Sequence, residues 1–290
     1  MPSPLVSICI PTYKGDEFIG DAIQSVLDQS YQSFEIIVVD DCSPDGTAAV
    51  INRFSDDRIN YYKNETNLGP EGNWNRCLEL INGKYYKLLP HDDVLIADCI
   101  QSQVEVLEAD NDKQIALVFG GKAIIDSRGK RLLTRYPLGK KSLRLSANDL
   151  INKCIKSGSN IIGEPGNGLI RSELAAEIGR YDDTYPYVID LDYWFRALLH
   201  GDAYYTGQIS SCFRISEQAW STRIGKKQHD DYFGMIEKYS SDPRYKISTF
   251  SKMLGKMNSY IISFARRVLY VVLRFSNTQN SPKKGHQKDI

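Results

Sequence analysis

The stretch Leu5–Thr47, "LVSICIPTYKGDEFIGDAIQSVLDQSYQSFEIIVVDDCSPDGT", decides the fold. "LVSICIP" is a short β-branched run closed by proline. "DEFIGDAIQSVLDQ" (16–29) carries apolar residues at 18, 19, 22, 23, 26 and 27, the stripe of an amphipathic helix. "FEIIVVD" (34–40) is a strand too apolar to alternate, so it is expected to be covered on both faces. It ends in Asp40-Asp41 and the turn residues Ser-Pro-Asp-Gly. Strand, helix, strand is a βαβ unit, and the pattern continues to about residue 110. "INYYKN" and "KYYKLLP" read as strands. "GPEGNWNRCLEL" and "DVLIADCIQSQVEVLEAD" (93–110) read as helices, and "IALVFGG" as a strand. The expected class is α/β, with a mostly parallel central sheet flanked by helices.

In such sheets the ligand crevice lies beyond the carboxyl ends of the strands. Four polar clusters fall there: Pro11-Thr12-Tyr13, Asp40-Asp41, Asn67 with Gly69, and His91-Asp92-Asp93. Either aspartate pair alone could be turn or cap chemistry. Together, four carboxylates at one crevice would raise each other's pKa unless a cation or hydrogen-bond donors met them. A divalent ion, Mg²⁺ or Mn²⁺, holding a diphosphate satisfies them, since it takes one or two carboxylates plus water and phosphate oxygens. The helix opening at "NLGPEGN" offers free N–H groups to an anion, and Arg76 lies one turn in. Further on, "VIDLDYWFR" places Asp190 and Asp192 in an apolar, aromatic segment. One of them can face the crevice with a raised pKa, as a general base.

The chain has 290 residues, 42% hydrophobic and 25% charged, with a formal net charge of zero. Residues 251–290 carry eight Lys or Arg and one acid, so the remainder carries −7. A basic tail on an acidic body is not a nucleic-acid footprint; it fits an anionic surface such as a membrane. "SYIISFARRVLYVVLRF" (259–275) reads either as an ordinary helix packed on the catalytic domain or as an amphipathic helix at that interface, and adjacent Arg266 and Arg267 argue against a full span. The six cysteines form no C-x-x-C pair and read as reduced and buried. No signal peptide is legible at the N-terminus, and a cytoplasmic location is expected, peripheral on the inner face of the plasma membrane. The four histidines lack metal-ligand spacing, and no nucleophile elbow, P-loop or dinucleotide fingerprint occurs.

"VSICIPTYKGDEFIGDAIQSVLDQSYQSFEIIVVDDCSPDGT", "NETNLGPEGNWNRCLE" and "GKYYKLLPHDDVL" together resemble the nucleotide-sugar half of family 2 glycosyltransferases. The likeness resumes at "GLIRSELAAEIGRYDD" and "YVIDLDYWFRALLHG". It implies a GT-A fold with a Rossmann-like nucleotide-binding half (1–110), an acceptor and catalytic-base half (111–240), C-terminal amphipathic helices (241–275) and a polar disordered tail (276–290). It implies inverting transfer from a nucleotide-diphosphate sugar, UDP-sugar favoured, to a saccharide or lipid-linked hydroxyl in cell-surface polysaccharide or glycolipid synthesis. Pro11, Thr12 and Tyr13 would line the nucleoside pocket. Asp40 or Asp41 would accept from the base, and Asn67, Gly69 and Arg76 would lie near base or phosphates. Asp92 and Asp93 match the metal-binding motif, although Pro90 stands where the family often has a further Asp. Asp190 falls at the catalytic base, with Asp192 in reserve. Two other readings compete. A sugar-phosphate nucleotidyltransferase would need a Gly- and Arg/Lys-rich first loop, which "PTYKGDEF" lacks. An inactive nucleotide-sugar-binding partner protein is permitted by the incomplete acidic motif and opposed by Asp190.

Overall fold

The structure, a computed structural model, describes residues 3–215 and 228–279. The chain opens as β1 (Val6–Thr12), α1 (Ile19–Leu27), β2 (Phe34–Asp40), α2 (Thr47–Ile51), β3 (Ile59–Lys63), α3 (Gly69–Glu79), β4 (Tyr85–Leu88), β5 (Val94–Leu95) and α4 (Cys99–Ala109). It continues as β6 (Ile115–Ile125), β7 (Arg131–Arg135), β8 (Leu143–Leu145), α5 (Ala147–Ser157), β9 (Gly168–Arg171), α6 (Ser172–Ile178), α7 (Ile189–Ala197) and β10 (Asp202–Arg214). Helices α8 (Gln228–Ser240) and α9 (Thr249–Gln279) follow.

One sheet runs β3-β2-β1-β4-β9-β6-β10-β5, with β7 on β6 and β8 on β10. The first four strands are parallel. β9 enters antiparallel between β4 and β6, so the second half of the sheet is mixed. Both faces of the parallel half are covered. Ile8, Ile10, Ile36 and Val38 face α1 and α4, while Cys9, Ile37 and Val39 face the core that also holds α7 and α8 residues. This double burial is why β2 shows no polar alternation. Parallel pairing also brings Thr12 level with Asp40, and Leu89 donates to the Cys9 carbonyl. The loops after β1, β2 and β4 therefore leave from one edge.

Two local expectations change. The helix expected over 93–110 begins only at Cys99, because Val94–Leu95 pairs with β10 as a short strand. After residue 245 there is one 31-residue helix, α9, which reaches Gln279 and so takes in the first residues of the expected disordered tail; residues 280–290 lie outside the described residues. No helix among the described residues is long and apolar enough to cross a membrane. Five of the six cysteines are buried, and all six are free thiols.

Candidate active site

A cavity of about 480 Å³ opens at the carboxyl edge of β1, β2 and β4. Pro11, Thr12, Tyr13, Asp41, Asn67 and Gly69 line one end. Asp92 and Asp93 lie along it, and Asp190, Lys122 and Glu164 line the other end. The structure thus gathers most of the sequence-nominated residues around one space. Thr12 Oγ1 is buried with no hydrogen-bond partner among the described residues, a polar atom left for a ligand.

Asp40, Arg76 and Asp192 do not line the cavity. Asp40 is fully buried; it accepts from the Ser43 amide (2.9 Å) and the Tyr61 hydroxyl (2.8 Å). Arg76 is half-exposed and pairs with Glu79 at 2.8 Å. Asp192 is buried among Arg196 (2.9 Å), Lys238 (2.8 Å) and the Tyr239 hydroxyl (2.6 Å). Two residues of helix place its side chain well around the axis from Asp190.

Asp40, the last residue of β2, and Asp41, just after it, part company because successive side chains of an extended chain point to opposite faces. Asp41 accepts from the amides of Leu68 (2.7 Å) and Gly69 (2.9 Å) and from Asn64 Nδ2 (2.9 Å). Those two amides are at the N-terminus of α3, where free N–H groups collect. The anion expected at that helix start is therefore supplied by the chain itself. Gly69 makes the turn at φ +76°, a conformation that side-chain-bearing residues disfavour.

At the other end, Asp190 sits on the first turn of α7. Its Oδ2 accepts from Asn160 Nδ2 (2.8 Å) and its Oδ1 from the Leu191 amide (2.7 Å). Burial, reinforced by the Glu164 charge, pushes its carboxyl up to about 7. Lys122 holds Glu164 at 2.6 Å and offsets part of that effect. Asp93 is buried; its Oδ1 accepts from the Arg214 amide (2.9 Å), and burial followed by the charges of Asp92 and Glu164 drives its carboxyl well above the usual range. Arg214 Nε also donates to the Asp92 carbonyl (2.8 Å), so β10 fixes the acidic loop.

The sequence reading missed Lys122, Glu164 and Asn160. A lone lysine within the buried run of β6 was the available signal for Lys122. Asn160 and Glu164 sit in the segment between α5 and β9, and nothing local marks them. Their position depends on buried Lys87, whose ammonium donates to the Gly166 (2.9 Å) and Gly168 (2.7 Å) carbonyls, and on Asn167, which holds the Gly120 carbonyl (2.8 Å).

For a hard divalent ion the donor chemistry fits. Asp92 and Asp93 offer carboxylate oxygens; burial first, and then the charges of Asp92 and Glu164, raise the Asp93 carboxyl, an effect that a bound cation would offset. No cluster of three protein metal ligands occurs among the described residues.

A parallel sheet with ligand loops at its carboxyl edge, closed by a mixed half across a shared cavity, defines the GT-A class of α/β protein. The sequence profile described as "Glycosyl transferase family 2" matches residues 7–178, and the chain belongs to that family. An uncharacterized glycosyltransferase of Rickettsia typhi is 28% identical, over 91% of this chain and 85% of its own length. The Escherichia coli UDP-Glc:alpha-D-GlcNAc-diphosphoundecaprenol beta-1,3-glucosyltransferase WfgD is 31% identical, over 53% of this chain and 58% of its own. The crystal structure of Staphylococcus aureus TarS 1-349 in complex with UDP-GlcNAc superposes with a TM-score of 0.63 at 16% identity, covering 80% of this chain and 64% of that one. The protein is a glycosyltransferase, and these likenesses do not favour the nucleotidyltransferase reading.

Proposed function

We propose that the protein is an inverting, metal-dependent glycosyltransferase of cell-envelope polysaccharide or glycolipid synthesis. In this reading it moves a sugar from a UDP-sugar to a saccharide or lipid-linked hydroxyl. The observation that carries it is Asp190, a carboxylate poised near 7 in the cavity that also contains Asp92, Asp93 and the loops of the parallel half. Residues 1–110 form the donor half and 111–240 the acceptor half. Tyr13 and Pro11 flank the nucleoside, Thr12 offers its unpartnered hydroxyl, and Asp41 shapes the pocket floor through α3.

Asp190 takes the proton of the acceptor hydroxyl as its oxygen attacks the sugar's anomeric carbon from the face opposite the diphosphate. A single displacement inverts that carbon and needs no covalent nucleophile. Asn160 and the Leu191 amide fix the carboxylate's orientation, and Asp190 acts in its ionised form. Asp92 and Asp93 would hold a Mg²⁺ or Mn²⁺ ion, and the ion would supply positive charge to offset that of the departing diphosphate. WfgD's name specifies a lipid-diphosphate acceptor, which supports a cytoplasmic enzyme working at a membrane. Residues 259–275 lie against that anionic surface in this reading; side chains from 265 onward lie outside the described residues.

A thermal-shift screen of UDP-, dTDP- and GDP-sugars with and without Mn²⁺, followed by transfer to a GlcNAc-diphospho-lipid, tests the proposal. UDP-sugar stabilisation that grows with Mn²⁺, plus turnover, is expected. Stabilisation without turnover on any acceptor would favour an inactive partner protein, and no stabilisation by any nucleotide sugar would overturn the reading.

A further inference from the structure

Helix α9 is buried by its small side chains and exposed by its large ones. Ser251, Gly255, Ser259 and Ser263 are spaced four apart and form the inner seam. A Cβ on Gly255 would lie 2.3 Å from the Ile155 carbonyl oxygen of α5, so the two backbones are in close approach. The outer face carries Phe250, Met253, Met257, Tyr260, Ile261 and Phe264, each 54–66% exposed. These six fall on one helical face across four turns. Exposed apolar area of this kind marks a contact rather than a solvated surface.

A second surface has the matching charge. Residues 127–144, which include β7 and lead to β8, contain seven Lys or Arg and no acid. Among the described residues only Arg144 of these seven meets a carboxylate, that of Asp202 at 2.8 Å. Asp126, just before, is used up in the hairpin turn by the amides of Arg128 and Lys130. Leu132 and Leu133 stand 46% and 47% exposed among these cations. Both elements, though not the exposed stripe of α9 itself, adjoin residues that line the cavity. Arg135 of β7 lines it, and so does Gly158, against whose backbone α9 packs at Ser259.

We propose that the β6–β7 hairpin and the outer face of α9 dock the enzyme on an anionic lipid bilayer, with the acceptor end of the cavity between them. Unpaired cations supply attraction to acidic headgroups, and the leucines and the α9 stripe enter the headgroup region. An anionic polysaccharide would use the cations but not the apolar stripe. A second copy of the chain would use the stripe but repel at the hairpin. This inference deepens the functional reading given above, since it brings the cavity to an acceptor whose lipid stays in the membrane. Its test reads binding alone, so a failure of transfer and a failure of docking are separate results.

The full chain is sedimented with vesicles of phosphatidylglycerol and phosphatidylethanolamine, and with phosphatidylcholine alone, at low and high salt. Pelleting is expected with the anionic vesicles and at least fivefold less with phosphatidylcholine or in high salt. Arg128→Glu/Lys130→Glu, and separately Met257→Ser/Ile261→Ser, should each lower the bound fraction at least fivefold. The thermal midpoint serves as the folding control; a hairpin variant that fails it is replaced by Lys140→Glu/Lys141→Glu. Absence of pelleting, unchanged pelleting of folded variants, or a stable dimer broken by Met257→Ser/Ile261→Ser would overturn the proposal.

Discussion

Asp190 and Asp192 stand two positions apart on α7 and meet opposite surroundings. Asp192 is neutralised by Arg196 and Lys238, whereas Asp190 has an amide partner, a backbone N–H and a nearby carboxylate. Asp190→Asn is expected to lower kcat by at least about 10²-fold, the usual scale for a general base, with nucleotide-sugar affinity unchanged in a binding titration. Wild-type kcat/KM should rise with pH through about 7, as Asp190 loses its proton. Burial is the main cause of the raised Asp190 carboxyl and would persist in Glu164→Gln, but loss of the Glu164 charge that adds to it should move the acid limb to lower pH; a limb that stays in place would contradict the electrostatic account. Arg76→Ala should leave the donor KM within about twofold, because its guanidinium serves Glu79 on the surface.

At the scale of elements, the N-terminus of α3 and the seat of α9 carry the strongest expectations. Asp41→Ala leaves the Leu68 and Gly69 amides without their carboxylate. It should cost about 1–3 kcal/mol in urea denaturation, as expected for hydrogen bonds to a charged group, and should weaken donor binding at the adjoining pocket. Gly255→Val would push α9 off the Ile155 carbonyl. It should lower Tm while leaving the pH profile of the remaining activity in place. The types of the early elements were legible because helices show a 3.6-residue apolar stripe, while the doubly covered strands stand out as short apolar runs closed by turn residues. The short β5 was not, since Val94–Leu95 becomes a strand only by pairing with Ser211 and Cys212, over a hundred residues away.

For the whole molecule, stability and activity pull against each other at the base. An acid whose folded pKa is raised binds its proton more tightly when folded. Its stabilising effect is full at low pH and is lost as pH rises from about 4 to about 7. Asp190→Asn should therefore raise Tm more at pH 8 than at pH 4; an equal gain at both would show that the carboxyl is not strained in the fold. The two halves meet through β9, which is placed between β4 and β6 and so carries Asn160 and Glu164 to the cavity on the segment preceding it.

The sequence by itself determined the βαβ order and the shared edge of Pro11–Tyr13, Asp40-Asp41 and Asp92-Asp93, because local periodicity and turn chemistry are properties of neighbouring residues. The tertiary structure alone decided that Asp41 rather than Asp40, and Asp190 rather than Asp192, lines the cavity. It assigned Asp41 to the α3 amides, buried Asp40 against Tyr61, and turned Asp192 into an ion-pair cluster. It also brought Lys122, Asn160 and Glu164 to Asp190, and set the small seam of α9 inward with its large apolar residues outward. These choices depend on strand order and on backbones that approach from distant segments. A reading of periodicity has no information about either.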